Sequence, residues 1–302
     1  MFRIRIQNKK KCIWYCSAAV SFLLFLLLNL WCDHLVNMQD AQQMAGRWSE
    51  KKDVAQISCF FSSKAEVTED TIQSFEYSLK NVLQEASITE TSENPSARLW
   101  VDAYSADGKI TLVNGRNTLD ANAIGIGGDF FLFHPLKLIT GSYFSGNDLM
   151  QDYCIIDQDA AWQLFGSNDV VGMTVYIGNV PHIVTGVVRR PQGRMEKAAG
   201  LTSTVVYVSY ETLETYGTSN GINHYEIVMP NPVDEFAYGK VKEGIGIDEK
   251  NVEIVENSRR YSLPNRIKTI LSFGTRSMNG KAIIYPYWEN LARGYEDIIA
   301  LL

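Results

Sequence analysis

One segment constrains this chain more than any other. From Cys12 to Cys32 the sequence reads CIWYCSAAVSFLLFLLLNLWC, 21 residues without a charge. At 1.5 Å per residue a helix of that length covers about 31 Å, one hydrocarbon core. Arg3, Arg5, Lys9, Lys10 and Lys11 precede it, and Asp33 and Asp40 follow. That asymmetry predicts a cytoplasmic N-terminus and a cell-membrane protein whose bulk is extracytoplasmic. Trp14, Tyr15 and Trp31 stand at the two ends, where interfacial aromatics belong. A cleaved signal peptide competes with this reading. The apolar run is long for one, and Asn29-Leu30-Trp31-Cys32 offers no small-x-small cleavage site. The segment therefore reads as a retained single-pass anchor.

Charge limits the partners of the remainder. Five of the 28 basic residues lie in the tip, so the rest carries 23 against 34 acidic residues. So acidic a body is a poor nucleic-acid binder. Only Cys59 and Cys154 lie beyond the apolar segment. Both sit in apolar runs and read as buried thiols, although a disulfide between them stays open. Asn94-Pro95-Ser96 fails as a glycosylation site because of its proline.

Periodicity divides the chain. Leu35, Met38, Gln42, Ala45 and Trp48 keep helical spacing, which predicts a stalk helix over 33–52. A strand over 53–62 follows. A helix then begins at the Thr68 cap, with Ile72, Phe75, Leu79 and Val82 on one face. SENPSA, 92–97, reads as a loop. RLWVDAYS and KITLVNG read as a hairpin turning at Gly108. HYEIVMP, VDEFAYGKVKEGIG and NVEIVEN repeat the strand–helix–strand pattern late in the chain. Two such units far apart predict an α+β fold with an α/β layer domain, split between 53–140 and 215–257, around a β-rich insertion over 141–214.

The insertion opens on GSYFSGNDLMQDYCIIDQDAAWQLFG, Gly141 to Gly166. Asp148, Asp152, Asp157 and Asp159 raise the question of a metal or acid–base site. Capping and turn chemistry account for them more simply: Asp157 as N-cap, Asp159 in the first turn, Asp148 after Gly146-Asn147. Trp162, Leu164 and Phe165 then read as core, and Gly166 as the helix stop. Gly178-Asn179 predicts a tight hairpin, with Pro181 on an unpaired strand edge. Arg189 to Gly200 reads as a polar loop.

Other motifs fail on stated residues. Asp120-x-Asn122-x-Ile124-Gly125 has Phe131 where a calcium loop needs glutamate. Gly125-x-Gly127 has Phe130 in place of the third glycine of a dinucleotide fingerprint. His34, His134, His182 and His224 are isolated in sequence, with no HExxH pairing. No Walker A sequence and no G-x-S-x-G elbow occur. The expectation is a non-enzyme with no cofactor and no metal.

A resemblance then becomes useful. An apolar strand ends in Gly141-x-x-Phe144. A second strand leads through Asp157 into Ala161-x-x-Leu164-Phe165-Gly166. Val171-Gly172 follows, then a hairpin at Gly178, then Val184-x-Gly186-Val187-Val188. In order and spacing this resembles the extracytoplasmic core domain of MacB/FtsX-type ABC transporter permeases, over Met1 to about Tyr210 and more loosely beyond. The resemblance implies a porter-like layer with the β-rich part inserted, and a domain that relays ATP-driven motion or handles an exported substrate. It implies a separate ABC ATPase and a membrane partner carrying further helices. Permeases of this type have three more membrane helices, whereas here YPYWENLARGYEDIIALL closes the sequence. Its Trp288, Leu291, Tyr295, Ile298 and Leu302 lie at helical spacing, predicting an amphipathic helix within a juxtamembrane segment over 258–302. A split permease half, an accessory subunit and a truncation all fit. A membrane-anchored binding or sensor module that kept the fold is the alternative, and an anchored hydrolase using the aspartates a third.

Overall fold

The computed structural model describes residues 2–49, 53–89, 98–274 and 281–302, without side chains at 2–10 and 12. Of the basic tip only the exposed Lys11 side chain falls within it; the 92–97 loop and Asn94 lie outside the described residues.

The first helix, α1, runs Phe2–Asn37. Its apolar stretch Ile13–Asn37 is long enough to cross a bilayer, and an 18-residue apolar window within it is not covered by the rest of the protein, whereas Cys32 near its end is buried. Phe22, Leu23, Leu24 and Phe25 are exposed, as the side chains of a bilayer-spanning helix would be. The helix stops at Asn37 instead of continuing to Trp48. A 3-10 turn, Asp40–Gln42, and a short helix α2, Met44–Trp48, follow. The reason lies in the glutamines: Gln39 and Gln42 are buried, and bonds to the domain override helical continuity.

Strand β1, Val54–Phe61, is buried at seven of its eight residues, as expected of a strand covered on both faces. Helix α3, Glu69–Glu85, lays Ile72, Phe75, Leu79 and Leu83 against the sheet; Leu83 takes the place expected for Val82. Strands β2, Val101–Asn114, and β3, Asn117–Gly128, form one long hairpin. Its turn is at Gly115-Arg116. Gly108 is mid-strand, opposite Ala123, because a second strand approaches there too closely for any side chain. The weak calcium and dinucleotide patterns are therefore part of β3.

Helix α4, Phe130–Phe133, buries three of its four residues. Then come β4, Lys137–Gly141; β5, Tyr153–Asp157; α5, Gln158–Phe165; β6, Thr174–Ile177; and β7, Val180–Arg189. Pro181 lies just beyond the end of the β5–β7 ladder, which begins at Tyr153 and Ile183. The expected polar loop contains α6, Arg194–Ala198. Strand β8, Val205–Ser209, helix α7, Tyr210–Tyr216, and strand β9, Thr218–Ser219, precede β10, His224–Pro230. Helix α8, Phe236–Gly244, strand β11, Val252–Glu256, helix α9, Leu263–Ser272, and helix α10, Tyr287–Leu301, complete the described chain.

The order β11-β1-β10-β2 interleaves the two strand–helix–strand units. Strands β1 and β2 both run antiparallel to β10, and β10 and β11 both run antiparallel to β1. Each unit is thus a split βαβ, the ferredoxin-like arrangement. Beyond β2 the ladder continues through β3, β8, β5 and β7, and β6 joins β7 back to β2. That closes a small barrel, which leaves no free edge on those six strands. Val101–Ser105 of β2 pair with β10, whereas Leu112 and Val113 pair with β6, so one strand serves both halves. A large core lies inside the barrel and beneath α3 and α8. A second lies across the sheet under α2, α4 and Trp288 of α10.

Candidate functional site: the junction of the apolar helix with the domain

The aspartate-rich stretch is a structural joint. Asp157 ends β5 and caps α5: Oδ1 accepts from the Ala160 N–H at 2.8 Å and Oδ2 from the Val205 N–H at 3.0 Å. Arg190 lies 3.1 Å from Oδ2 and also bonds Asp159. Burial pushes the Asp157 carboxyl up, against the pull of those amides and of Arg190. Both oxygens thus hold structural contacts. Asp148 accepts from the Ser145 N–H at 2.9 Å, a turn closure. Ala161 and Leu164 are buried, Phe165 is half-buried, and Gly166 ends α5 in the left-handed region. Trp162 faces out instead of joining the core, because Ala160, Ala161 and Leu164 already occupy the inner face. Gly141 pairs with Gly186, and a Cβ on Gly141 would stand 2.1 Å from the Thr185 carbonyl oxygen. Phe144 is buried edge-on to Phe131. Gly172 precedes β6, and Gly178 forms the β6–β7 turn with Asn179. Cys59 and Cys154 are buried free thiols, with burial pushing Cys154 up to about 12.

A denser constellation lies where α1 meets the domain. Cys32 on α1 is buried against Tyr295 and Ile299 of α10, with Leu35, Val36, Met195, Tyr261 and Leu291 around them. The segment after α1 is clipped to the domain. Tyr261 donates to Gln39 Oε1 at 2.5 Å; Gln56 of β1 accepts from the Met44 N–H at 2.8 Å and donates to the Ala41 carbonyl at 2.6 Å. Arg47 donates to the Leu132 carbonyl at 2.7 Å.

Beneath this lies a buried charge network. Arg260 donates to both Glu289 oxygens at 2.7 and 2.8 Å, to Glu296 at 2.8 Å and to Asn257 at 3.2 Å. Burial opposes its charge, yet Glu289 and Glu296 hold the guanidinium more firmly protonated than usual. Arg293 donates to Glu289 at 2.8 Å and to Glu253 of β11 at 2.6 Å, and stacks 3.8 Å above the Tyr285 ring. Asn257 then donates to Ser58 at 2.7 Å, and Ser58 to Glu226 at 2.6 Å. A continuous polar path thus leads from α10 into strands β1 and β10. Helix α10 turns Trp288, Ala292, Tyr295 and Ile299 into the protein, while Ile298 and Leu302 of the expected face stay partly exposed. The domain, rather than a membrane surface, covers that face.

The sequence reading did not find this network. Glu289, Arg293 and Glu296 have helical spacing, but a solvated face has the same pattern. It also left the histidines isolated, whereas His134 and His224 meet at Glu226, all three buried and with ligating atoms within 4.8 Å of one another. The i, i+2 spacing of His224 and Glu226 on one face of β10 was the available signal.

The family described as MacB-like periplasmic core domain matches residues 38–254. The macrolide export ATP-binding/permease protein MacB of Pasteurella multocida is 32% identical over 81 residues, 26% of this chain and 12% of that protein. The protein of that name from Chromobacterium violaceum is 31% identical over 96 residues, 31% of this chain and 14% of its own length. The matched segment is thus a small part of these curated relatives. Among solved structures, the extracellular domain of the noncanonic ABC-type transporter YknZ from Gram-positive bacteria is 19% identical, covering 66% of this chain and 99% of that one, with TM-score 0.44. The periplasmic region of MacB from Actinobacillus actinomycetemcomitans is 18% identical, covering 72% and 92%, also with TM-score 0.44.

Proposed function

The chain belongs to the family of the MacB-like periplasmic core domain, and from that membership we propose that it acts as a non-catalytic extracytoplasmic part of an ABC transporter permease. Its role is to relay ATP-driven conformational change, with or without direct handling of an exported substrate. The observation that carries this reading is the junction. Helix α1 is joined to the domain by an apolar contact at Cys32, by glutamine clips and by the Arg260 network behind them. A displacement of α1 has a stiff route into β1 and β10, and from there through the shared strand β2 into the barrel. The division into a porter-like layer over 53–140 and 215–257 and an inserted part over 141–214 belongs to the same proposal. So do the motif residues of 141–188 as the frame of the inserted part.

The partners are a separate ABC ATPase and a membrane protein carrying further helices, with the lipid bilayer around α1 and no nucleic acid. The N-terminus is cytoplasmic and the domain extracytoplasmic. The experiment is affinity isolation of the full chain from native membranes in mild detergent. An ABC ATPase and a helical membrane partner should co-isolate in fixed ratio. Recovery of a lone chain, with no ATPase, overturns the reading.

A second reading, an anchored binding module, takes support from one feature. A cleft of about 760 Å³ is lined by Lys109, Asp120, Asp159, Trp162 and Arg190. The exposed Trp162 beside a cation suits a polar ligand with an apolar face. Tight ligand binding without ATPase association would favour it.

A further inference from the structure

The buried cluster at His134 has the arrangement of a metal site. His134 caps the end of α4, and His224 and Glu226 lie two apart on β10. All three are at most 4% exposed. The outer atoms of His224 and Glu226 are satisfied in an ordered way. Ser105 Oγ lies 3.3 Å from His224 Nδ1, and Ser58 donates to Glu226 Oε1 at 2.6 Å, with Asn257 behind it at 2.7 Å. Their inner atoms are not. His134 Nε2, His224 Nε2 and Glu226 Oε2 are buried without a hydrogen-bond partner. His134 Nε2 lies 2.7 Å from Glu226 Oε2 and His224 Nε2 lies 3.4 Å from Glu226 Oε1, ion-pair contacts between which an ion could insert. Three ligating atoms without a hydrogen bond therefore converge on one point, with Ser105 behind His224 and Ser58 behind Glu226.

We propose that His134 Nε2, His224 Nε2 and Glu226 Oε2 bind a divalent transition-metal ion, with Zn²⁺ the best match. Two imidazoles and one carboxylate are a known zinc ligand set, which leaves one position for water. Bonds of about 2.0–2.1 Å set tetrahedral ligand atoms about 3.3 Å apart, so an ion opens the His134–Glu226 approach by about 0.6 Å. The contacts of Ser105 and Ser58 are those that orient metal ligands from behind. Phe60 stacks on His224 at 5.0 Å, and Phe130 and Trp288 stand 4.6 and 4.3 Å from His134, so the walls are apolar and exclude bulk water. The Trp288 indole N–H is also without a partner, which suits a water on the open position. The site joins α4 to β10 beneath α10, at the inner end of the path from Arg260. Its role is structural: it fixes the surface on which α10 is seated. It does not depend on the transport reading.

The test uses the full chain in detergent, stripped with chelator and then titrated with Zn²⁺ or Co²⁺ alone. The expected result is about one ion per chain by elemental analysis, intense visible Co²⁺ bands of a four- or five-coordinate site, and a rise in melting temperature with Zn²⁺. Glu226→Gln and His224→Gln should keep the circular dichroism of the wild type and lose the bands. A folded wild-type chain with no stoichiometric uptake and no such bands overturns the site, leaving a buried ion-pair cluster only. Equal uptake by wild type and both variants overturns it as well. Loss of the ATPase association proposed above, with metal uptake intact, would leave this site standing.

Discussion

Arg260 grips Glu289 with two parallel hydrogen bonds of 2.7 and 2.8 Å, and the two side chains are 2% and 1% exposed. The pair joins the segment after β11 to the first turn of α10, 29 residues later in the chain. Bidentate geometry fixes direction as well as distance. Glu296, nearly two turns further along α10, accepts from the same guanidinium. The helix is therefore held at two points along its length, and Cys32 of α1 packs against Tyr295 and Ile299 of the same helix.

Removal of one partner should be severe. Arg260→Ala leaves Glu289 as a buried carboxylate with only Arg293 to balance it, which costs about 3–5 kcal/mol. The double change Arg260→Met, Glu289→Leu removes both charges and should cost much less. Thermal unfolding of the three chains measures this. Equal losses in the single and the double variant would mean that packing, and not the pair, carries the effect.

Asp157 gives a graded test, because both of its oxygens accept from backbone amides in different elements. Asp157→Ala loses the cap and orphans the Val205 N–H, an expected loss of about 2–3 kcal/mol. Asp157→Asn keeps one acceptor and should fall between alanine and the wild type. Denaturant midpoints give the ranking; an asparagine variant as stable as the wild type would show that one oxygen suffices.

The sequence revealed those parts of the fold in which local chemistry and long-range packing agree. The Asp157 cap, the Gly166 stop and the Gly178-Asn179 turn each depend on a few neighbouring residues, and all three are present. Gly108 misled because a glycine between two polar-apolar runs has the local look of a turn. Its true cause is Thr218, 110 residues away. The Arg260 network and the His134 cluster were least legible. Each assembles from segments far apart, and a charged residue on a helix is solvated unless something covers it.

Asp102 should make stability fall with rising pH. Tyr225 donates to its Oδ2 at 3.1 Å, and burial, with Glu76 nearby, pushes its carboxyl up to about 8. An unfolded aspartate titrates near about 3.9, so the folded chain holds a proton that the unfolded chain has lost. The favourable contribution is full below about pH 4 and disappears as pH rises through about 8. Asp102→Asn should remove that slope and raise stability above pH 8 by at most a few kcal/mol. Unfolding curves from pH 4 to 9 test it. Parallel pH profiles for the two proteins would show that Asp102 is ionised throughout.

Gly108 shows what the shared strand demands. It sits in β2 between the residues that pair with β10 and those that pair with β6, and β9 crosses beside it. A Cβ there would lie 2.3 Å from the Thr218 carbonyl oxygen and 3.0 Å from Leu213 Cδ1. The obstacle is backbone, which cannot rotate away, so β9 must separate from β2. Gly108→Ala should therefore cost about 1–3 kcal/mol, as overpacking does. Gly115→Ala is the control. Its φ of +61° is strained for alanine, but no atom lies within 4 Å of the added carbon, and the loss should stay near about 1 kcal/mol. Hydrogen exchange separates the two mechanisms. Gly108→Ala should expose the amides of Thr218 and Ser219 and leave the β2–β3 turn protected, whereas Gly115→Ala should do the reverse. Unchanged protection at Thr218 in a destabilised Gly108→Ala chain would mean that the close approach of β9 is not what requires glycine at this position.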